Sequence, residues 1–375
     1  MTRYRIAVLP GDGIGKEVME TSFIPLERLG LDAEYIWGDV GWEFWKNEGE
    51  PLPQRTIDLL RSTDVCLFGA ITSKTADEAQ QELDPSLQER GMKYRYRSPI
   101  IQLRQLFDLY VNLRPCKAFP GNPLNYREGI DLVIFRENTE GLYAGVEFHP
   151  LPPEVRKILE LHHPAMKRFS SAKDDEIALS LRLMTKEGCR RIAQRAFEYA
   201  ERSGRWRVTL VEKANVLRET GGLMIREARK IAEAYPAITF DVANVDAMVM
   251  WLVKNPEQYE VLVAENLFGD IISDLAAQLV GGLGFSASGN IGDHYAIFEP
   301  THGSAPKYAG QGKANPIAMI NAVVMMLEWL GETDRAATLE KAVREVVKQG
   351  RARTYDMGGT ASTQEMALAV AERIG

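Results

Sequence analysis

Two aspartates in the stretch 266–274 are spaced as neighbours on one face of a helix. They are Asp270 and Asp274, and a helix that begins near Gly269 places their carboxylates about one turn apart. Like charges so close repel each other unless a cation lies between them. Asp246, 24 residues before Asp270, completes an all-oxygen ligand set suited to Mg²⁺ or Mn²⁺. The structural alternative is that Asp270 caps the helix and Asp274 is solvated.

Three arginines could bind an anionic ligand. Arg114 and Arg136 each come at the end of an apolar run, where an α/β sheet presents groups to a ligand, and Arg104 precedes them. A planar guanidinium binds a carboxylate through two parallel hydrogen bonds. Any one of these arginines alone is more often a surface ion pair, but the three together favour a carboxylate site.

Acid–base chemistry has two candidates. Lys213 follows the apolar run 208–211, and Tyr143 lies seven residues after Arg136. A lysine or a tyrosine acts as a base or an acid when nearby cations or a metal ion shift its pKa. Taken alone, either residue is more often a surface lysine or a packed tyrosine.

The stretch 299–310 combines turn residues with groups that suit nucleotide contacts. Its glycines let a ligand approach the backbone, Lys307 adds a cation, and Asn315 follows closely, which suits phosphate and adenine. A capping or core role for His302 is the alternative. A second glycine-rich stretch, 11–15, has the spacing G-x-G-x-G rather than G-x-G-x-x-G. This spacing favours a tight strand-to-helix turn over a dinucleotide fingerprint.

Apolar runs and helical periodicity alternate along the chain, which predicts an α/β fold with a mostly parallel sheet. The polar segment 73–97 is predicted to be a loop lying over a site. The proline-rich segment 148–175 is predicted to be an arm that serves a subunit contact. The predicted strands are 5–9, 65–70, 131–135, 208–211 and 261–264, and the main predicted helices are 16–29, 53–62, 186–203, 221–235, 248–253, 315–330 and 335–349.

Composition excludes several classes of protein. The 375 residues include 45 lysines and arginines against 52 aspartates and glutamates, a formal charge of −7, whereas nucleic-acid binding normally shows a basic excess. Cys66, Cys116 and Cys189 lack metal-ligand spacing and are predicted to be buried reduced thiols. The chain begins without the apolar run of a signal peptide, and no run of 18 apolar residues occurs. We therefore expect a cytoplasmic enzyme that binds neither nucleic acid nor membranes.

These motifs together resemble the β-decarboxylating dehydrogenases, the family of isocitrate, 3-isopropylmalate, homoisocitrate and tartrate dehydrogenases. The resemblance runs from 8–15 to 355–359, essentially the whole chain, and its specific motifs lie at 112–115, 136–143, 213–215, 266–274 and 299–310. It implies an isocitrate/isopropylmalate dehydrogenase-like α/β fold that is not a Rossmann fold. A large domain would combine 1–110 with 281–375, and 111–280 would form a smaller domain. The resemblance also implies an obligate homodimer, clasped by segment 148–175.

The resemblance implies a role for each candidate residue. The carboxylates of a malate moiety are bound in this family by three arginines, which correspond to Arg104, Arg114 and Arg136. Its divalent metal, Mg²⁺ or Mn²⁺, is held by three aspartates, which correspond to Asp270, Asp274 and, from the partner subunit, Asp246. Lys213, also donated across the dimer, corresponds to the lysine that acts at the C2 hydroxyl. Tyr143 corresponds to the tyrosine that protonates C3.

The resemblance also implies a choice of cofactor. Members that use NAD usually carry an aspartate where this chain has Lys307, which is followed by Tyr308 as in bacterial NADP-dependent isocitrate dehydrogenases. Tyr355 corresponds to a tyrosine that contacts the phosphate in that group, whereas a further arginine expected there is Gly359. A lysine attracts the 2′-phosphate that an aspartate repels, so NADP is implied. The implied cofactor-binding residues are Thr72, Glu299, His302, Gly303, Ser304, Ala305, Lys307, Tyr308, Asn315 and Tyr355.

The preferred substrate depends on segment 97–104. Ser98 corresponds to a serine that isocitrate dehydrogenases use on the distal carboxylate, but their nearby asparagine is Ile100 here. Ile100 and Ile101 stand where isopropylmalate enzymes place leucines, and Arg97 replaces their glutamate, which favours an anionic tail. Isocitrate is the favoured substrate, with homoisocitrate, 3-isopropylmalate or another 3-substituted malate as alternatives. The rival of another class is a non-catalytic regulatory subunit, which typically lacks a catalytic residue that this chain retains.

Overall fold

The described strands of the protein form one large sheet and one small two-stranded antiparallel sheet. The computed structural model describes residues 4–89 and 94–374. Its strands are β1 (Tyr4–Gly11), β2 (Ala33–Trp37), β3 (Val65–Ala70), β4 (Val111–Lys117), β5 (Asp131–Glu137), β6 (Glu147–Phe148), β7 (Leu179–Ser180), β8 (Arg207–Glu212), β9 (Thr239–Asn244), β10 (Val261–Ala264), β11 (Ala287–Ile291) and β12 (Ala296–Pro300). Ten of them form a sheet in the order β2-β1-β3-β12-β11-β4-β5-β10-β8-β9, and β6 pairs with β7.

The sheet is mostly parallel, as predicted. Six of its neighbouring pairs are parallel. The three antiparallel pairs lie together in the centre, where β12, β11, β4 and β5 follow one another. Parallel strands covered on both faces are apolar throughout, and every residue of β3 and β10 is buried. Both strands have the bounds that the sequence predicts.

Helices flank the sheet, and the main predicted helices are confirmed to within a few residues at each end. The first strands and both chain ends pack with α1, α12, α13 and α14 into the largest apolar core. Two further cores surround β5, β8 and β10. The helices are α1 (Ile14–Arg28), α2 (Trp42–Glu48), α3 (Gln54–Arg61), α4 (Ala76–Gln81), α5 (Pro85–Glu89), α6 (Pro99–Leu106), α7 (Pro153–His162), α8 (Lys186–Arg202), α9 (Arg218–Ala232), α10 (Val245–Lys254), α11 (Asn266–Leu279), α12 (Ile317–Trp329), α13 (Thr333–Gln349) and α14 (Thr363–Ala371).

Strands from the two ends of the chain occupy one side of the sheet. β1, β2, β3, β11 and β12 lie there, while β4, β5, β8, β9 and β10 from the middle of the chain occupy the other side. One continuous sheet joins the two sets. The division into a domain of 1–110 with 281–375 and a domain of 111–280 therefore stays a prediction.

Segment 73–97 is not the continuous loop that its polar composition suggests, and that prediction was wrong in part. It contains α4 and α5, while its residues 90–93 lie outside the described part. Thr75 and Glu78 form a capping box at the start of α4, each side chain accepting a backbone N–H of the other. A few apolar side chains of the two helices pack on the tryptophans of α2. The capping box and the contacts with two tryptophans stabilise these short helices although their segment is polar.

Most residues of segment 148–175 are exposed in the single chain. It contains α7, and none of the ten residues of α7 is buried. Ile158 and Leu161 on this helix are 59% and 75% exposed. The subunit contact proposed for this arm stays a prediction. Among the described residues, no helix is both long and apolar enough to cross a membrane. A cytoplasmic location also stays a prediction.

Candidate active site

Helix α11 carries both aspartates of the predicted metal site. It begins at Asn266, and the Glu265 side chain caps it by accepting the Phe268 backbone N–H at 2.9 Å. Asp270 therefore lies inside the helix, which removes the alternative that it is the cap. Asp274 follows one turn later, so both carboxylates lie on the same helix face.

Two arginines reach these carboxylates from neighbouring antiparallel strands. In the register of β4 and β5, Arg114 lies opposite Ile134, two residues before Arg136, so both arginines point from one face of the sheet. Arg136 donates to Asp270, and Arg114 donates to Asp274 at 2.7 Å and lies 3.5 Å from Asp270. Arg114 lies inside β4, whereas the sequence places it at the end of an apolar run. The polar residues of β4 interrupt the apolar pattern, so the sequence does not indicate the full length of the strand.

Gly269 gives Arg136 the space that it occupies. A Cβ at this glycine would be 2.6 Å from Cγ of Arg136. The guanidinium also donates twice to Asn266 Oδ1, at 3.0 and 2.7 Å, and Arg136 is 1% exposed. Asn266, Gly269 and Asp270 of α11 therefore set its orientation.

Arg104 on α6 completes a cluster of three buried cations. Its Nε donates to Asn290 Oδ1 at 2.9 Å, and its Nη2 lies 3.6 Å from Glu299 Oε1. Burial lowers the pKa of Arg104 and that of Arg136, and each cation nearby adds to the effect. Concentrating three buried guanidinium groups around few carboxylates favours a further anion at this place.

Asparagines that the sequence analysis missed orient these arginines. Asn290, Asn112 and Arg136 lie side by side across β11, β4 and β5. Asn290 Oδ1 accepts from Asn112 and Asn138 as well as from Arg104. For two of them the sequence held a signal, because Asn112 and Asn138 each lie two residues from an arginine of the site, whereas Asn290 lies in no such motif. A buried amide is stable only when it is hydrogen-bonded.

Tyr143 lies against the same carboxylate. It stands on a 3₁₀ turn between Gly141 and Gly145, and its hydroxyl donates to Asp270 Oδ2 at 2.5 Å. Arg136 lies 5.1 Å from the centre of its ring. Burial and the charge of Asp270 raise the pKa of Tyr143, so the phenol is protonated at neutral pH and can give a proton.

Lys213 and Asp246 pair with each other, and among the described residues Asp246 forms no ion pair with Arg104, Arg114 or Arg136. Lys213 follows β8, Asp246 is in the first turn of α10, and Nζ lies 2.5 Å from Oδ1. Within the described residues, no group of three or more histidine, cysteine, aspartate or glutamate side chains is placed to hold a metal ion. A single chain therefore brings together two of the three predicted metal ligands.

Asp270 and Asp274 nevertheless have the chemistry that a hard divalent cation requires. Burial raises the pKa of Asp270, but Arg136, Tyr143 and Arg114 outweigh burial, so the net shift is downward and the carboxyl is ionised. Asp274 is 59% exposed at its side chain and accessible to an ion. These residues would hold Mg²⁺ or Mn²⁺ through carboxylate oxygens.

The predicted cofactor loop packs against the glycine-rich turn 11–15. Ser304 Oγ and Thr72 Oγ1 are 2.7 Å apart, and Ser304 O accepts the Ile14 backbone N–H at 2.9 Å. A Cβ at Gly13 would be 2.1 Å from Ser304 O. The glycines of this turn thus allow two backbones to meet, which confirms the tight turn predicted from the sequence.

Several predicted nucleotide contacts lie along this loop. His302 Nδ1 is 3.1 Å from Gly303 O, while its buried Nε2 has no hydrogen-bond partner in the described part of the chain, and burial lowers the pKa of the imidazole. An unsatisfied buried ring nitrogen fits a polar ligand such as a nucleobase. Ala305 has a positive φ of 37° at the turn before Lys307, which is exposed.

Two tyrosines and Asn315 complete the cofactor side. The ring centroids of Tyr308 and Tyr355 are 6.4 Å apart, and both rings are exposed. Asn315 donates to Asp356 at 3.0 Å, which ties the turn of Tyr355 to the start of α12. At Gly359, a Cβ would be 2.0 Å from the Arg353 carbonyl oxygen. The missing arginine of the NADP-dependent pattern therefore has no room at this backbone position.

Two cavities connect the substrate side with the cofactor side. The inner cavity, of about 200 Å³, is lined by Ser98, Ile100, Arg104 and Arg114 together with Glu299, Thr301, His302 and Gly303. The outer cavity, of about 650 Å³, is lined by Arg97, Ser98, Ile101 and Tyr143 among others. Ser98 lines both cavities. Ser98, Arg104 and Arg114 of the predicted substrate residues thus face the same inner cavity as the predicted cofactor residues Glu299, His302 and Gly303.

Comparison with known proteins agrees with this arrangement. A family model described as isocitrate/isopropylmalate dehydrogenase matches residues 5–370. Protein DlpA of Legionella pneumophila is 45% identical over 371 residues, which cover 98% of this chain but 58% of DlpA. The 3-isopropylmalate dehydrogenase of Archaeoglobus fulgidus is 40% identical over 98% of each chain. The crystal structure of an isocitrate dehydrogenase from Methylococcus capsulatus is also 40% identical, with a TM-score of 0.85 over 99% of each chain. The chain therefore belongs to the isocitrate/isopropylmalate dehydrogenase family, the β-decarboxylating dehydrogenases, and has the α/β fold of that family.

Proposed function

We propose that the chain catalyses the oxidative decarboxylation of a 2-hydroxy acid with two or more carboxylates, and that isocitrate is the favoured substrate. The observation that carries the proposal is the cluster of three buried arginines, Arg104, Arg114 and Arg136, beside Asp270 and Tyr143. The carboxylates of a malate moiety supply the negative charge that this cluster lacks. The family membership of the chain supports the same reaction class.

Two side chains move protons in the proposed reaction. The partner subunit's Lys213 takes the proton of the C2 hydroxyl as C2 loses a hydride. When bound, a nicotinamide nucleotide accepts that hydride, and a divalent cation at the aspartates stabilises negative charge on the C2 oxygen. The C3–carboxylate bond then breaks, CO₂ leaves, the bonding electrons form an enolate, and Tyr143 gives its proton to C3.

The outer cavity supports an anionic substituent at C3. Arg97 is exposed there, and its guanidinium donates to the neutral Gln105 at 3.2 Å. Among the described residues, Arg97 has no ion pair. An isopropyl group would leave this cation without a counterpart, whereas a carboxylate pairs with it. Ile100 and Ile101 provide apolar contacts for the methylene that links the carboxylate to C3.

The test of this function is a panel of kcat/KM values for isocitrate, homoisocitrate, 3-isopropylmalate and tartrate, with Mg²⁺ and each nicotinamide cofactor. Isocitrate with NADP is expected to give the highest value. A highest value for 3-isopropylmalate would contradict the proposed substrate but not the reaction class. Absence of turnover with every compound would favour the regulatory subunit.

The proposal of NADP as cofactor gives a charge-reversal prediction. Replacing Lys307 by aspartate is expected to lower kcat/KM for NADP by about 100-fold, since attraction of the 2′-phosphate becomes repulsion. The value for NAD should stay level or rise, because the aspartate can accept from the ribose hydroxyls. Lys313→Asp, an exposed lysine a few residues further on, is the control. A native protein that uses NAD with the higher kcat/KM would contradict the proposal.

We also propose that the active unit is a homodimer, because within the described residues of one chain Asp246 does not join Asp270 and Asp274 in a metal-binding group. Neighbouring helices α10 and α11 expose apolar side chains, among them Met250 at 64% and Ile271 at 51%. Contiguous exposed apolar groups of this kind mark interfaces.

Replacing Met250 by aspartate is expected to yield a monomer with little activity, because it buries a charge in the proposed interface. Sedimentation velocity and kcat measure the two effects. Leu368→Asp, on α14 and 44% exposed, is the matched control and should remain a dimer. A monomeric Met250→Asp variant with full kcat would refute the shared active site.

A further inference from the structure

A buried arginine outside the substrate cluster touches three elements at once. Arg182 lies between β7 and α8, and its side chain is 9% exposed. Its guanidinium donates to Glu212 at the end of β8 and, at 2.9 Å, to the Thr220 hydroxyl on α9. Its Nε lies 3.6 Å from Glu265 Oε2, and the group stacks 5.2 Å from the ring centre of Phe268.

Each carboxylate that Arg182 contacts also holds the backbone of a proposed active-site element. Glu212 Oε2 accepts the Lys213 backbone N–H at 2.7 Å. Glu265 Oε1 caps α11, which carries Asp270. The side chains of Glu212 and Glu265 are 0% and 2% exposed, so water cannot replace the arginine. One guanidinium therefore connects the backbone of Lys213 to the start of the aspartate-bearing helix.

Each of the two carboxylates packs closely against a glycine, so that a larger residue at that position would displace it. A Cβ at Gly221 would be 2.6 Å from Glu212 Oε2, and a Cβ at Gly141 would be 2.7 Å from Glu265 Oε2. The two ends of the contact differ in strength. Arg182 Nε and Glu265 Oε2 both lack a hydrogen bond among the described residues. Arg182 is therefore hydrogen-bonded to Glu212, which holds the backbone of Lys213, but it interacts with Glu265 at the start of α11 through charge alone.

We propose that Arg182 is a positioning residue that braces Lys213 against helix α11. The inference rests on the proposed function and adds to it a connection between two sites. Lys213 serves the active site of the partner subunit, whereas Asp270 on α11 serves the site of its own chain. Each subunit therefore contains one arginine that connects elements of both active sites.

The first test replaces Arg182 by lysine, which keeps the charge but loses the planar fork that reaches both carboxylates. We expect kcat to fall by about 10- to 100-fold, with the KM for the hydroxy acid within about three-fold, because small displacements of reacting groups cost rate rather than binding. Arg207→Lys is the matched control. Arg207 pairs with Asp241 at the opposite end of β8, so both constants should stay near their native values.

A second variant keeps the proposal testable if Arg182→Lys folds poorly. Glu265→Gln retains an oxygen for the cap of α11 but removes the charge that faces Arg182. It is expected to show the same loss of kcat with little change in KM, in milder form. A lower melting temperature with native kcat and KM in this variant would mean that the contact is structural only, which would overturn the proposal.

Hybrid dimers separate the brace from the proposed function. One chain carries Lys213→Met and the other Tyr143→Phe, so one intact site remains, formed by Tyr143 of the first chain and Lys213 of the second. Adding Arg182→Lys to either chain should lower the kcat of this site. Unchanged kcat in both hybrids would overturn the brace. A hybrid without activity before Arg182 is changed would instead refute the donation of Lys213 across the dimer.

Discussion

Methionine in place of Lys213 is expected to lower kcat by about 1000-fold and to leave the KM for the hydroxy acid within a few-fold. Lys213 is proposed to take the hydroxyl proton, whereas the buried arginines bind the carboxylates. The loss therefore falls on the transition state and not on binding of the ground state. Steady-state kinetics with saturating Mg²⁺ and NADP measures both constants.

Folding of the Lys213→Met variant should be close to native. Asp246, which Lys213 pairs with in the single chain, is 67% exposed at its side chain, so water solvates the carboxylate that remains. Lys117→Met is the matched control, because Lys117 also pairs with one carboxylate, that of Glu340, which is 34% exposed at its side chain and keeps Arg344 as a partner. A Lys213→Met enzyme with native kcat would remove Lys213 from the mechanism.

Phenylalanine in place of Tyr143 is expected to separate the two halves of the reaction. Without the phenol, protonation of C3 loses its acid, and kcat for the complete reaction should fall by about 100-fold or more. Reduction of the β-keto acid to the hydroxy acid needs no proton at C3 and should persist at a near-native rate. Substrate binding should change little, because phenylalanine keeps the ring that lies beside Arg136.

The measurement supplies the β-keto acid directly and follows its reduction by NADPH and its loss of CO₂ separately. Tyr126→Phe, at a tyrosine that is 50% exposed, is the control and should alter neither rate. If both half-reactions of Tyr143→Phe fall equally, Tyr143 orients Asp270 through their 2.5 Å hydrogen bond instead of donating a proton. That outcome would contradict its assignment as the acid.

Uniformly buried elements were predictable from the sequence. β3 and β10 are short apolar runs because helices cover both of their faces, and the sequence indicates their bounds directly. The strands β4, β11 and β12 are not continuous apolar runs, and the sequence analysis did not predict them. They carry Asn112, Arg114, Asn290 and Glu299, which face the site instead of an apolar core. Polar residues that serve the site therefore conceal these three strands, whereas β5, which also carries a site residue in Arg136, keeps an apolar run that predicts it.

The sequence by itself determined which side chains of this protein can bind an anion or carry a proton, and that Asp270 and Asp274 share one helix face. Residue type and helix geometry are local properties and need no partner. Only the tertiary structure decided that Arg136 meets Asp270, 134 positions away, and that Lys213 meets Asp246. Such contacts follow from the pairing of β5 with β10 and of β8 with β9, and strand order depends on the packing of the whole chain, which no local pattern specifies.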